Sequence, residues 1–248
     1  MPEEELISIV IPAYNEEQRL PASLDKIVAF LKEKNYKSEI IVVDDGSSDK
    51  TLEVVKDYST HNHSVAKIRI IQNPRNMGKG YSVRNGMLQA AGRLILFTDA
   101  DLSAPIEEAP KLIDPILRGE CDVAIGSRGL KESVIPVRQP ILRELSGRIF
   151  NLFVRAISGL KIKDTQCGFK AFRREAAAEA FTWQTIYGFG FDVEVLYIAQ
   201  QRGWRIREVP VVWRNVLGTK VRVLSDSWVM FWDLFKIRLN HLQRKYGK

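Results

Sequence analysis

Four short apolar runs, at 6–11, 39–43, 67–72 and 93–97, alternate with stretches of helical periodicity. After the first run a helix reaching about residue 32 puts Leu20, Leu24, Ile27, Val28 and Leu31 on one face. Pro12 reads as the stop of the first strand. Asp49 is placed to cap a second helix, with Glu53 in its first turn. A third helix is expected over 78–91, after a glycine-rich turn. Strands alternating with helices predict an α/β layer fold with a mainly parallel central sheet and flanking helices. In such sheets ligands bind beyond the carboxyl ends of the strands, and each of these runs ends in a polar cluster.

The second half is less regular. Helices are expected over 107–117, 138–157 and about 192–201, strands at 122–125, 165–172 and 204–212, and a last helix over 226–246. There is no internal repeat and no low-complexity linker. The economical division is a single domain over 1–223 with an amphipathic helix over 224–248 as an appendage.

The most telling cluster ends the fourth strand. The apolar run stops at Phe97, and Asp99 and Asp101 follow as a D-x-D pair. Two carboxylates that close repel one another and call for a cation. Oxygen ligands of this kind suit Mg²⁺ or Mn²⁺, and such an ion can neutralise a departing diphosphate. An EF-hand is excluded, because the loop lacks Gly at its sixth position and Glu at its twelfth. Gly78-Lys79-Gly80 permits close backbone approach at a helix start. It is not a dinucleotide fingerprint, since Val83 stands at the third glycine's place. It is not a P-loop, since Gly80 follows the lysine. The strand ends otherwise carry Pro12-Ala13-Tyr14-Asn15-Glu16, Val42-Val43-Asp44-Asp45-Gly46-Ser47-Ser48-Asp49 and Asn76-Met77-Gly78-Lys79-Gly80.

In this order and spacing, P-A-Y-N-E, V-V-D-D-G-S-S-D, N-x-G-K-G and D-A-D resemble a family 2 glycosyltransferase of the GT-A fold, over roughly the first 130 residues. Further on, Gly126-Ser127-Arg128, Asp164-Thr165-Gln166-Cys167-Gly168-Phe169-Lys170 and Trp213 through Gly218-Thr219-Lys220 resemble the polyprenyl- and dolichyl-phosphate sugar transferases. The D-T-Q-C-G-F-K wording is similar to the dolichyl-phosphate glucosyltransferase branch, whose donor is UDP-glucose. The mannosyl enzymes typically have Gln two residues after D-x-D; here Ser103 stands there, which leaves the third protein ligand of the metal open.

The resemblance implies a donor site made of Pro12, Ala13, Tyr14, Glu16, Val43, Asp44, Asp45, Gly78, Lys79, Asp99 and Ala100, with Arg214 and Lys220 closing over the diphosphate. Tyr14 could stack on the base, and Glu16 or Asp45 could accept hydrogen bonds from base or ribose. Asp101 is the leading metal ligand, with Asp99 on the metal or the ribose. Arg128 is expected at the acceptor's phosphate, aided by Arg143 and Ser146; a surface charge is the alternative for Arg143. Asp192 and Glu194 occupy the segment where base-using relatives carry their carboxylate. The reading preferred for Asp192 is the cap of the helix that follows, with some role on the acceptor side.

The partners expected are a nucleotide-diphosphate sugar, a polyprenyl phosphate and a membrane surface. The formal charge of +7 and a pI near 9.4 favour acidic partners. No nucleic-acid motif is present, so that partner class is not expected. In the last helix Trp228, Phe231, Trp232, Phe235, Leu239 and Leu242 recur at helical spacing beside Lys236, Arg238, Arg244 and Lys245. The stretch with Ile141, Leu145, Ile149, Leu152 and Phe153 carries Arg143, Arg148 and Arg155. Either stripe fits a membrane interface, or packing onto the sheet. No apolar run approaches the ~20 residues of a membrane span. The acidic start, Met1 to Glu5, is unlike a leader, and the two distant cysteines fit a reducing compartment. The expected location is therefore cytoplasmic, peripheral at the inner face of a membrane. A saccharide or other hydroxyl acceptor is the competing reading, and it would require a base.

Overall fold

The computed structural model describes residues 6–61, 66–137, 141–216 and 223–247, with the backbone alone at 61, 141–146, 148 and 223–226. In chain order the elements are β1 (Ile7–Ala13), α1 (Leu20–Lys34), β2 (Ser38–Asp44), α2 (Thr51–His61), β3 (Lys67–Gln72), α3 (Lys79–Gln89) and β4 (Leu94–Thr98). A 3-10 turn (Ile106–Glu108) leads into α4 (Ala109–Leu117), β5 (Val123–Ser127), β6 (Val134–Val137) and α5 (Ile141–Ser158). The chain then forms β7 (Phe169–Arg173), α6 (Arg174–Thr182), α7 (Phe191–Gln201), β8 (Ile206–Pro210), β9 (Val212–Arg214) and α8 (Val223–Leu242).

Seven strands form one sheet in the order β3-β2-β1-β4-β7-β5-β8, and β6 pairs with β9 in a small second sheet. The large sheet is parallel except for β7, which runs antiparallel between β4 and β5. Helices cover both faces, which is why the strands are continuous apolar runs. On one face Ile9, Ile11, Ile40, Val42, Leu94 and Leu96 pack with Leu20, Leu24 and Ile27 of α1 and Leu112 of α4. On the other, Val10, Ile41, Val43, Ile95, Phe97 and Ile125 pack with α3, α6 and α7.

Three sequence expectations change. The first strand runs through Pro12, which pairs in register with Val43 of β2. Pairing with β4 on the other side ends at Val10, so the missing N–H of Pro12 interrupts no ladder there. The strand expected over 165–172 begins only at Phe169, because residues 165–168 form a turn. The strand expected over 204–212 divides at Val211 into β8 and β9, which belong to different sheets. Helix α6 was not anticipated, although its sequence R-E-A-A-A-E-A-F-T is rich in strong helix formers.

Helix α8 has two apolar sides. Met230, Leu234 and Ile237 are buried, the last two among core residues of α7, while Trp228, Trp232, Phe235, Leu239 and Leu242 are exposed. Among the described residues no helix is long and apolar enough to cross a membrane.

Helix α3 lies close to the sheet because residue 86 has no side chain. A Cβ on Gly86 would stand 2.5 Å from Val10 Cγ1 and 2.9 Å from Val43 Cγ2. Overpacking of this kind costs about 1–3 kcal/mol. Gly86→Val is therefore expected to lower stability by that amount in urea unfolding. An unchanged midpoint would refute the close packing.

Candidate active site

The polar ends of β1, β2 and β4 meet at one edge of the sheet, as the parallel topology requires. Asp45 organises the first part. Its backbone N–H donates to the Ala13 carbonyl at 2.8 Å. Its Oδ1 accepts from Asn73 Nδ2 at 2.8 Å and the Met77 N–H at 2.9 Å, and its Oδ2 accepts from the Gly78 N–H at 2.9 Å. The carboxylate is thus committed to the loop that leads into α3. Asp44 is different: Oδ1 accepts from the Ser47 N–H at 3.3 Å, while Oδ2 is buried without a hydrogen-bond partner. Of the two, Asp44 keeps the acceptor capacity that a base or ribose needs. Glu16 pairs with Arg19 at 2.8 Å. Tyr14 is half-buried beside these groups, and Val43 is fully buried.

The close approach allowed by the two glycines of G-K-G is to the protein itself. A Cβ on Gly78, at φ +99°, would stand 2.4 Å from the Tyr187 carbonyl oxygen, and one on Gly80 would stand 2.6 Å from Phe191 Cβ. The N–H of Gly80 donates to that same carbonyl at 2.8 Å. The loop therefore docks α3 on the segment before α7 and presents the Lys79 side chain.

Lys79 Nζ reaches Asp99 Oδ1 at 2.6 Å. Burial works against its charge, but Asp99 and then Asp192 outweigh burial and raise its pKa. Asp101 Oδ1 accepts from the Ser103 N–H at 2.9 Å. Between them Leu102 adopts φ +47°, a left-handed conformation that costs a non-glycine residue free energy. The Ala100 carbonyl accepts from Ser23 at 2.7 Å, and the Ser103 carbonyl from the Arg214 N–H at 2.7 Å. Burial, and next the charge of Asp99, hold the Asp101 carboxyl above the usual range. That residual repulsion is what a divalent cation would relieve, so the pair fits Mg²⁺ or Mn²⁺. Among the described residues no three His, Cys, Asp or Glu side chains gather as a metal site, so the remaining positions would fall to water and ligand oxygens.

Gly168, in the turn before β7, is pressed against this pair. A Cβ there would stand 2.0 Å from Asp99 Oδ2, and its carbonyl accepts the Asp99 N–H at 3.1 Å. At the other end of the turn, Asp164 takes Arg128 bidentately, Nε to Oδ2 at 2.7 Å and Nη2 to Oδ1 at 2.8 Å. The guanidinium also lies 5.2 Å from the centre of the Trp213 ring. Burial opposes its charge, but Asp164 outweighs burial, and Asp99 adds to the same effect. Arg128 and Asp99 therefore belong to one electrostatic cluster. Arg143 and Ser146 lie on α5, but their side chains fall outside the described residues, as does the whole of Lys220.

The two acidic residues of α7 part company. Glu194 is fully buried; it accepts from the Thr185 and Ile186 N–H groups, the Thr185 hydroxyl and the Tyr246 hydroxyl. That is a structural anchor. Asp192 is not the helix cap: Gly190 holds that position and offers no side chain. Instead the Asp192 carboxylate pairs with Lys170 Nζ. Gly190 in turn lies against α8, where a Cβ would stand 2.4 Å from Asp233 Oδ2, and burial pushes the Asp233 carboxyl up to about 6.

Sequence reasoning gave no separate role to Lys170 or Gly168. The signal for Lys170 was available: in F-K-A-F-R the lysine shares a strand face with Phe172, a core position.

The family described as Glycosyl transferase family 2 matches residues 8–181. Dolichyl-phosphate beta-glucosyltransferase of Drosophila melanogaster is 39% identical over 247 residues, covering 95% of this chain and 75% of the relative. The Saccharomyces cerevisiae protein of the same description is 37% identical over 256 residues, covering 97% and 76%. The human one is 36% identical over 248 residues, covering 95% and 76%. Among solved structures, glucosyl-3-phosphoglycerate synthase from Mycobacterium tuberculosis, crystallised with Mn²⁺ and uridine-diphosphate-glucose, shares the fold. Its TM-score is 0.67 at 21% identity, over 95% of this chain and 78% of that one. The family resemblance read from the strand-end motifs holds across the sequence and the fold: the chain belongs to glycosyl transferase family 2 and is a sugar-transferring enzyme.

Proposed function

We propose that this enzyme transfers glucose from UDP-glucose to a polyprenyl phosphate of the dolichyl type, with inversion at the anomeric carbon, while docked on a membrane surface. The observation that carries the reading is the 164–168 turn. Asp164 at one end of it holds Arg128, the cation suited to an acceptor phosphate, and Gly168 at the other end lies against Asp99 of the pair suited to a donor's metal. The relatives' names, which specify dolichyl phosphate and a beta product, support the acceptor and the inversion.

In this reading Tyr14 and the unpartnered Oδ2 of Asp44 receive the nucleoside at the ends of β1 and β2. Lys79, with Arg214 and Lys220, receives the diphosphate. Asp101 and Asp99 would hold Mg²⁺ or Mn²⁺, which supplies positive charge to the leaving diphosphate. The acceptor phosphate, presented by Arg128, is already ionised near neutral pH. One of its oxygens donates a lone pair to the anomeric carbon. The bond from that carbon to the UDP oxygen breaks on the opposite face, and its electron pair leaves with UDP. No proton has to be removed. That agrees with the two α7 carboxylates, since Glu194 is committed to four donors and Asp192 to Lys170. A hydroxyl acceptor would need a general base.

The membrane reading is supported by two adjacent helices. Phe153 of α5 meets Phe231 of α8 at 5.3 Å between ring centres. Around them Ile149, Leu152, Trp228, Trp232, Phe235, Leu239 and Leu242 are exposed. Neighbouring apolar side chains left in water at this density mark an interaction surface. Tryptophans suit the interfacial zone, and the net charge of +7 suits anionic lipid. The proposed location is the cytoplasmic face, with the enzyme peripheral to the bilayer.

Asp101→Asn is expected to lower turnover by about 10²–10³-fold, the loss typical when charge stabilisation of a leaving group is removed. EDTA should silence wild-type enzyme, and added Mg²⁺ or Mn²⁺ should restore it; full turnover in metal-free buffer would exclude the metal. By calorimetry UDP-glucose should bind more tightly than GDP-mannose, and mass spectrometry should find a hexosyl polyprenyl phosphate. The reverse donor ranking would overturn the glucosyl assignment. Trp228→Ser with Trp232→Ser, both on exposed positions, should leave thermal unfolding nearly unchanged. The pair should weaken binding to anionic liposomes by about tenfold or more, given the apolar area withdrawn from the interface. Unaltered liposome binding would discard the α8 surface as the docking face.

A further inference from the structure

Lys170 lies in register with Phe97 on one side and Ile125 on the other. It is a core position, and the lysine side chain is 1% exposed. Its ammonium pairs with Asp192, donates to the Cys167 carbonyl at 2.5 Å, and stands 5.7 Å from the centre of the Phe97 ring. The Lys79 ammonium stands 5.5 Å from the centre of the same ring. Stability does not account for a lysine here. Desolvating an ion costs several kcal/mol, and apolar side chains of similar volume replace buried ion pairs without loss in many proteins. A methionine would fill the same space.

The charges lead outward instead. Lys170 holds Asp192, Asp192 attracts Lys79, and Lys79 contacts Asp99, whose carboxylate is 31% exposed at the mouth of the site. Signs alternate along this row from core to solvent. We propose that Lys170 is a positioning residue of the transfer reaction: by occupying Asp192 it leaves Lys79 at Asp99, where the ammonium meets the donor diphosphate. Without Lys170, Asp192 becomes an unpaired buried carboxylate, and Lys79 is the cation already acting on it. The Lys79 ammonium is then drawn inward, away from the donor. This inference rests on the nucleotide-sugar reading of the site.

Calorimetry of the full chain with UDP and Mg²⁺ tests it through a double-mutant cycle. Lys170→Met is expected to weaken UDP binding by about tenfold or more, and Lys170→Met with Asp192→Asn to recover affinity to within about threefold of wild type, a coupling of ordinary size for groups in contact. In steady-state assays Lys170→Met should raise KM for UDP-glucose and leave KM for the acceptor unchanged. A lysine that serves packing alone would move the melting temperature without this recovery. UDP affinity unchanged in Lys170→Met, or a double variant as weak as the single one, would overturn the proposal. Where Lys170→Met does not fold, Lys170→Gln takes its place in the same cycle: a loss of UDP affinity of about tenfold that Asp192→Asn recovers supports the proposal, and unchanged affinity refutes it. Wild-type protein that ignores UDP would bring down the donor reading and this inference with it. Wild-type binding with an indifferent Lys170→Met brings down the inference alone.

Discussion

Two aspartates two residues apart at the end of a buried strand repel one another, and they require positive charge nearby to offset that repulsion. Much of the architecture around β4 can be traced to that requirement. Lys79 supplies one charge, and it is delivered by α3, whose first turn is pinned by Asp45 and whose body lies close on the sheet through Gly86. The antiparallel β7 acts at one remove, through Asp192. Its insertion beside β4 carries Lys170 into the core, where it pairs with Asp192. The same insertion presses Gly168 against Asp99 so closely that no side chain fits between them. The break in an otherwise parallel sheet is therefore what completes the surroundings of the D-x-D pair.

The parts of this arrangement that local pattern controls were legible in the sequence. The apolar run ending at Phe97 and meeting Asp99 fixes both a strand and its functional end, because burial and charge change within two residues. The stripe of α1 is equally plain, and Leu20, Leu24, Ile27 and Leu31 are all buried. What long-range contacts control was not legible. Residues 165–168 are compatible with a strand by composition. They turn because the Gln166 N–H is captured by Asp164 Oδ1 at 3.2 Å and because Gly168 meets Asp99, 69 residues earlier in the chain. Asp192 and Glu194 look interchangeable in sequence. Two positions on a helix differ by about 200° in direction, so one faces Lys170 and the other faces Thr185 and Tyr246. No periodicity argument from α7 alone could say which carboxylate would meet a cation and which would anchor a loop.

Helix α8 shows a different limit. A helix apolar on one side declares its buried face, but this one is apolar on two. Positions 230, 234 and 237 face the core, and positions 228, 232, 235, 239 and 242 do not. The pattern alone is compatible with core packing and with a lipid interface, and the fold buries one side and leaves the other exposed. The contact between Asp233 and Gly190 ties this helix to the first turn of α7, the turn that bears Asp192. Whatever α8 rests on is thereby one contact removed from the charged row of the site.

The acceptor side poses the last physical question, which is why the arginine proposed to meet the acceptor phosphate should already be held by a carboxylate. Two of the nitrogens of Arg128 are committed to Asp164, and its face lies on Trp213. A guanidinium fixed in this way has lost its rotamer freedom before the acceptor arrives, so less entropy is lost when a phosphate reaches the remaining edge. The same pairing cancels much of its charge, so Arg128 alone gives a phosphate orientation more than affinity. In the proposed reaction the affinity comes from the surface on α5 and α8. A lipid acceptor and an enzyme confined to one interface meet at a high effective concentration. The site then needs only to align the phosphate oxygen with the anomeric carbon. On the proposed reading, division of labour between a weakly attracting, rigid site and a surface that concentrates both partners would account for exposed tryptophans and a carboxylate-paired arginine in the same enzyme.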